Sequence, residues 1–176
     1  SVLTTGGIRG GKKRGFQPRS FNMGISRAVY NQTNGFSFDR YAEDIELSVR
    51  MRKHGFNVAL ISDAFVYHKR RTTLHDFFKQ VSNFGKGRVL VGRTHPGEIK
   101  LTHWFPVCFL LGMCAVPIMI LFFPMPGMML LTGYGSYFLI IAIHAFITLK
   151  SVSVALLSVP SAFVQLTGYG VGFLKQ

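Results

Sequence analysis

The acidic pair Glu43 and Asp44 is the stretch of this sequence best suited to carry chemistry. Three of the seven acidic residues lie within four positions there, in a chain whose formal charge is +13. Apolar residues recur at i, i+4 after them, which predicts an amphipathic helix from Ala42 to His54. Carboxylates in a first helical turn are favoured by the helix dipole and stay ionised. The pair could supply a general base, or could simply stabilise the helix start, and spacing alone leaves both interpretations open.

Elements on either side of this helix must position the acidic pair. Phe21 to Ile25 is predicted to be a short strand, and a helical turn follows from Ser26. Two further strands are predicted at 57–61 and 64–68, the second ending in His68 and followed by three basic residues. A helix and two strands with polar groups at a strand end form an α/β pattern. The predicted fold class is therefore α/β for the polar part of the chain.

The charge distribution divides the chain into two parts. Eighteen of the 20 Lys and Arg residues and all seven acids lie at or before Lys100, a net charge of 18 − 7 = +11. No charged residue occurs from 101 to 149 or from 151 to 174. We therefore predict a water-facing part at 1–100 and a membrane part at 101–176.

Three apolar segments make up the membrane part. Residues 104–123 and 128–149 are each about long enough to cross a bilayer as a helix. Pro124 to Gly127 is read as the turn of a hairpin between them. The third segment, 152–174, contains more polar residues and could either span the membrane or lie along its interface. The excess of Lys and Arg before Lys100 predicts that this part is cytoplasmic.

A further helix is predicted just before the membrane part. Thr73 and Asp76 have the spacing of a capping box, and apolar residues follow as far as Phe84. The face continues towards Arg88. One side of this helix is apolar and the other basic, as expected for a helix at a membrane surface.

Several of these features, in this order, resemble family 2 glycosyltransferases. The resemblance rests on Gly35-Phe36 with Asp39, the Ala-Glu-Asp of the acidic helix, His68, and the helix containing Gln80 that leads directly into apolar spans. It covers about Phe21 to Arg93 by motif. The chain is similar to the C-terminal half of a membrane-anchored bacterial member with a GT-A fold. That similarity implies that residues 1–100 are the acceptor-side portion of an N-terminally truncated GT-A domain.

The resemblance also implies roles for individual residues. Asp44 would be the catalytic base, with Glu43 as an orienting acid. His68 would help to bind a metal ion or the diphosphate, although it could be a strand-end histidine without a special role. The groups expected to bind substrate or diphosphate are His68, Arg70, Arg71, Gln80 and Arg88. Arginine geometry suits a diphosphate, but near a membrane Arg70 and Arg71 could face lipid instead.

Two departures from the family pattern limit the expected activity. Processive members carry Gln-x-x-Arg-Trp, whereas Asn83 and Phe84 stand at the last two positions here, which favours transfer of a single sugar. The family's metal-binding Asp-x-Asp has no match in the chain. Mg²⁺ or Mn²⁺ is thus implied only by the resemblance, and this fragment alone is expected to be inactive. Glu46, the one acid two positions from Asp44, is expected to be solvated.

The resulting prediction is an inverting sugar transferase in the bacterial inner membrane. Its expected partners are a nucleotide-sugar donor, a lipid-linked or glycan acceptor and membrane lipid, without nucleic acid. The main alternative is a non-catalytic, membrane-anchored basic module that binds anionic lipid or nucleic acid. A structural membrane subunit and a transporter fragment are further alternatives, the last disfavoured because the spans contain no charged residue.

Overall fold

A computed structural model describes residues 19–57, 66–67 and 72–176 of the chain. Within these ranges there are six α-helices: α1 (Arg27–Thr33), α2 (Glu43–Lys53), α3 (Leu74–Thr94), α4 (Phe105–Phe122), α5 (Pro124–Leu149) and α6 (Val152–Leu174). Short 3₁₀ turns occur at Ser20–Asn22 and Leu101–His103.

The predicted α/β class is wrong for the described part of the chain, which is helical and contains no strand or sheet. The strand expected from Phe21 to Ile25 is instead a 3₁₀ turn followed by extended residues such as Met23. An extended segment becomes a strand only when a neighbour completes its hydrogen-bonded ladder. The strands expected at 57–61 and 64–68 lie outside the described residues, apart from Asn57, Val66 and Tyr67, which are not in strands.

Local signals define α1 as the sequence predicts. The Ser26 side chain accepts a hydrogen bond from the backbone N–H of Val29 at 3.3 Å and caps the helix. Asn34 and Gly35 then take left-handed conformations, with φ of 55° and 65°. The chain thereby reverses directly after α1.

The acidic helix α2 is present and is one residue shorter at each end than predicted. Gly55, with φ of 80°, terminates it. The N–H groups of Gly55 and Phe56 each donate at 3.0 Å to the carbonyls of Arg52 and Met51, which is a Schellman motif. Leu47 is fully buried, and it anchors the helix in its unit.

The N-cap of the capping box predicted for α3 is confirmed, and the side chain of Asp76 pairs with the Thr73 hydroxyl. The backbone N–H of Asp76 donates to Thr73 Oγ1 at 3.1 Å, and the Thr73 hydroxyl donates to Asp76 Oδ2 at 2.9 Å. The helix continues without a break through Gly85 and Gly87. A Cβ atom on Gly87 would lie 2.7 Å from Ala42 Cβ, so this glycine permits α3 to approach the residue that precedes α2.

The described residues belong to two compact units. The first contains the described residues up to Tyr67 together with 87–99, and the second contains 72–86 and 100–176. The two halves of α3 therefore belong to different units. The first unit contains α1 and α2, and the second contains α4, α5 and α6.

In the second unit, α4 and α5 form an antiparallel hairpin and α6 packs against both. The break between α4 and α5 is shorter than the sequence suggests, because α5 begins at Pro124 itself; proline is well tolerated in a first helical turn. Leu101–Phe122, Pro124–Leu149 and Val152–Leu174 are each long and apolar enough to cross a membrane. The third of them is the least apolar.

Candidate active site around the acidic helix

Glu46 is the most deeply buried charged residue in the first turns of α2, with an exposure of 1%. The expectation that it is solvated is wrong. Its Oε1 accepts from Arg50 Nε at 2.9 Å, and its Oε2 accepts from Arg50 Nη2 at 2.7 Å and from the Ser37 hydroxyl at 2.5 Å. The forked arginine thus meets the carboxylate through two bonds, which is the strongest form of such a pair.

Arg50 also binds the turn that follows α1. Its Nη1 donates to the carbonyl oxygen of Thr33, and its Nη2 donates to the carbonyl oxygen of Gly35 at 2.7 Å. These carbonyls come from the end of α1 and the left-handed turn after it, where partners within the helix run out. A single guanidinium therefore fastens this turn to the helix that carries the acidic pair.

His95 brings the end of α3 to the same carboxylate. Its Nε2 lies 3.1 Å from Glu46 Oε1, and its Nδ1 lies 3.0 Å from Lys53 Nζ. Because an ammonium can only donate, Nδ1 accepts from Lys53 and Nε2 carries the proton donated to Glu46. The chain Lys53–His95–Glu46 runs from an exposed side chain to a buried one.

These partners determine the ionisation of Glu46. Burial by itself raises the pKa of Glu46, but hydrogen bonds from Arg50, Ser37 and His95, with the charge of Arg50, outweigh it and lower the pKa from 4.5 to about 2. The group is therefore a permanent anion near neutral pH. Its lone pairs are occupied by protein donors, so it suits a structural role better than proton transfer.

Asp44, the predicted base, lies in the same helical turn and is 7% exposed. Its Oδ1 accepts from the backbone N–H of Ile45 at 2.8 Å, and its Oδ2 accepts from that of Ser20 at 3.3 Å. Arg19 Nη1 is 4.0 Å from Oδ2. The carboxylate thus stabilises the start of α2, while Oδ2, with the longer bond, is the oxygen better able to exchange its partner for a substrate hydroxyl.

The other predicted site residues are distributed as follows. Glu43 is half-buried at the first position of α2. Arg88 is half-buried on α3 in the first unit, and Gln80 is half-buried on α3 in the second unit. His68, Arg70 and Arg71 lie outside the described residues.

No group of three or more His, Cys, Asp or Glu side chains suited to a metal ion occurs in ranges 19–57, 66–67 and 72–176. The two buried carboxylates there, Asp44 and Glu46, have protein donors as partners. These residues do not by themselves fit a divalent cation.

Sequence reasoning missed Arg50 and His95. The i, i+4 spacing of Glu46 and Arg50 was a readable signal for an ion pair on α2. His95 is 49 positions from Glu46, and no local pattern links the two. The burial of Glu46 depends on the turn and on α3, which periodicity within α2 does not report.

Comparison with known protein families places these residues in a functional context. The family described as Glycosyl transferase family group 2 matches residues 21–161, which contain α1 to α5 and the first part of α6. No curated protein matches the chain. No solved structure matches it either. Because the match covers most of the chain and includes the acidic helix, the protein belongs to glycosyl transferase family group 2.

Proposed function

We propose that this chain takes part in the inverting transfer of a single sugar from a nucleotide-sugar to a membrane-associated or envelope acceptor. The observation that carries the proposal is Asp44: a buried carboxylate at a helix start, within the region matched by a sugar-transferase family. The replacement of Arg and Trp by Asn83 and Phe84 supports transfer of one sugar rather than polymer synthesis.

In the proposed reaction, Asp44 Oδ2 removes the proton from an acceptor hydroxyl. The hydroxyl oxygen forms a bond to the anomeric carbon of the donor sugar as the bond from that carbon to the diphosphate oxygen breaks. The bonding electrons leave with the nucleoside diphosphate, and the proton remains on Asp44 until solvent takes it. A general base must lie within hydrogen-bond reach of the hydroxyl that it deprotonates, and Oδ2, which accepts the longer of the two backbone hydrogen bonds to Asp44, is the oxygen proposed to do so.

Positive side chains are proposed to receive the departing diphosphate. Arg88 is the described candidate in the same unit as Asp44. Glu43 is proposed to orient the acceptor, while Gln80, His68, Arg70 and Arg71 stay predictions for substrate or diphosphate binding. The divalent ion, with His68 as its ligand, also stays a prediction, as do the inner-membrane location and the cytoplasmic orientation.

Asp44→Asn is the variant that tests this proposal. Because the chain is proposed to act as part of a longer enzyme, membranes containing that enzyme with its nucleotide-binding half would be incubated with UDP-glucose, UDP-N-acetylglucosamine or GDP-mannose, and release of nucleoside diphosphate would be measured. We expect release with one donor in the wild type and at least a hundredfold slower release in Asp44→Asn, because the acceptor then has no base. Glu98→Gln, an acid-to-amide change outside α2, is the control and should keep the wild-type rate.

Two outcomes would contradict the proposal. Release by none of the three donors, or an undiminished rate in Asp44→Asn, would argue against sugar transfer through this base. The alternative would then be the membrane-anchored basic module, which the net charge of +11 in residues 1–100 supports. Binding to vesicles that contain anionic lipid, lost at high salt, would be its signature.

A further inference from the structure

The register between α4 and α5 defines positions along the axis of their hairpin in the second unit. Near the connection between the helices, a Cβ on Gly127 would lie 2.7 Å from Ile120 Cα. Further along, the Tyr134 hydroxyl donates to the carbonyl oxygen of Phe109 at 2.8 Å. The ring centroid of Phe138 lies 6.0 Å from that of Phe109. Residue numbers thus run in opposite directions along the two helices. The closed end of the hairpin is at Phe123, and its open end is where α4 begins and α5 finishes.

Helix α6 starts at the open end. Only Lys150 and Ser151 separate α5 from α6, and the Ser151 side chain caps the new helix. At about 1.5 Å per residue, the register of the hairpin places Leu149 roughly 9 Å beyond the level of Trp104. The first residue of α6 therefore lies outside the hairpin's open end.

The last turns of α6 lie at the same open end. Phe173 meets Trp104 edge to face, with 5.0 Å between ring centroids. A Cβ on Gly170 would lie 2.7 Å from the carbonyl oxygen of Pro106 in the first turn of α4. A helix that crossed the bilayer alongside the hairpin would place Phe173 roughly 30 Å from its start, towards the closed end.

The first half of α3 marks this end as a water-facing boundary. A Cβ on Gly172 would overlap the carbonyl oxygen of Ser82, and one on Gly85 would lie 2.7 Å from the backbone nitrogen of Phe173. The same half of α3 carries the exposed Lys79 and the half-buried Asp76. Charged groups are costly in hydrocarbon, so the α6 residues against which α3 packs lie near the surface of the membrane.

We propose that α6 is an interfacial helix that lies across the open end of the hairpin, with its apolar side in contact with lipid at the headgroup–acyl boundary. Both of its ends then stay on one face of the membrane, and the bilayer is crossed by α4 and α5. This proposal is independent of the sugar-transfer reaction.

The side chains of α6 suit such a position. Of the three apolar helices it is the least apolar, and it exposes Ser153 and Gln165 alongside Leu156 and Leu157. Its middle reaches inward, since Phe163 lies 6.4 Å from Phe138 between ring centroids. Trp104, its aromatic partner at the open end, is of the residue type enriched at membrane–water interfaces. In a typical interfacial helix, the apolar side lies below the headgroups and the polar groups stay near water.

Labelling of single cysteines from one side of the membrane tests the proposal. In the full chain with Cys108→Ala and Cys114→Ala, a cysteine would be introduced as Met125→Cys, Lys150→Cys or Lys175→Cys. Sealed vesicles of known orientation would be treated with a membrane-impermeant maleimide. We expect Lys175→Cys to be labelled from the same side as Lys150→Cys, and Met125→Cys from the opposite side.

Labelling of Lys175→Cys from the side of Met125→Cys would overturn the proposal, because α6 would then span the bilayer. If the cysteine variants do not accumulate, alkaline phosphatase, which is active only outside the cell, can be fused after Gln176. Its activity should match that of a fusion after Lys150 and differ from that of a fusion after Phe123. A fusion after Gln176 that behaves like the one after Phe123 would also overturn the proposal.

Discussion

At the residue scale, two carboxylates in one helical turn have different surroundings. Glu46 has an arginine fork, a histidine and a serine as partners, whereas the hydrogen bonds to Asp44 come from backbone groups. A buried ion pair adds little net stability over well-packed apolar residues, but loss of one partner leaves an uncompensated charge. The directional bonds of Glu46 therefore matter chiefly for the orientation they give α2, and hence Asp44.

The low pKa of Glu46 makes stability depend on pH in a defined window. Its pKa is about 2 in the folded protein against an ordinary 4.5, so the ionised group stabilises the fold above pH 4.5. This contribution, about 3 kcal/mol, is lost as the pH falls from 4.5 towards 2. Thermal unfolding in detergent, followed by circular dichroism between pH 2 and 7, measures it.

Glu46→Gln isolates this contribution from that of the other acids. The variant should be less stable than the wild type at pH 7, and the two should converge as the pH approaches 2. Glu98→Gln is the matched control and should keep the wild-type pH dependence. A constant difference between Glu46→Gln and the wild type at every pH would contradict the assignment.

At the element scale, local signals were sufficient wherever an element is defined by its own ends. The Ser26 cap, the Gly55 terminus and the Thr73–Asp76 box each involve neighbouring residues, and each was readable from the sequence. The α/β prediction failed because a strand depends on a distant partner. The burial of Glu46 was missed for the same reason: its environment is built by Ser37 and His95 as well as by α2.

The pentapeptide Leu-Thr-Gly-Tyr-Gly occurs at 131–135 in α5 and at 166–170 in α6. Small residues allow membrane helices to pack closely, and the two copies differ in whether they do so. In α6, a Cβ on Gly170 would lie 2.7 Å from the Pro106 carbonyl oxygen. In α5, a Cβ on Gly133 or Gly135 would have no atom within 4 Å.

The two copies provide a matched pair of substitutions. Gly170→Ala should lower the free energy of unfolding by about 1–3 kcal/mol, because α4 and α6 must move apart to admit a methyl group. Gly135→Ala should be neutral or stabilising by up to about 1 kcal/mol through helix propensity. Thermal unfolding in detergent compares the two. Equal effects would show that the close approach of α6 to α4 does not contribute to stability.

At the scale of the whole molecule, charge and apolar length are separated along the chain. Residues 101–176 carry just Lys150 and Lys175 as formal charges, and the three long apolar helices lie within them. This division was predictable from sequence because it depends on composition. Whether α6 crosses the membrane or lies at its surface could not be predicted from composition, because a spanning helix and an interfacial helix of this length have similar compositions.

The apolar helices predict how the protein is held in a membrane. Burial of α4 and α5 in hydrocarbon does not depend on ionic strength, whereas attachment through the basic residues before Lys100 would be screened by salt. We expect the chain to stay in the membrane pellet after washing with 1 M salt and at pH 11, and to be released by detergent. Release by salt alone would show that charge, rather than the hairpin, holds the protein.

The repeated pentapeptide also has a consequence for the evolution of the family. Selection acts on a glycine where a neighbouring backbone excludes a side chain, and it relaxes where the helix faces fluid lipid. Among homologues, replacements should therefore accumulate at 133 and 135 and be rare at 168 and 170. The two identical pentapeptides would then diverge at different rates, and the difference would show which helix surface packs against another helix.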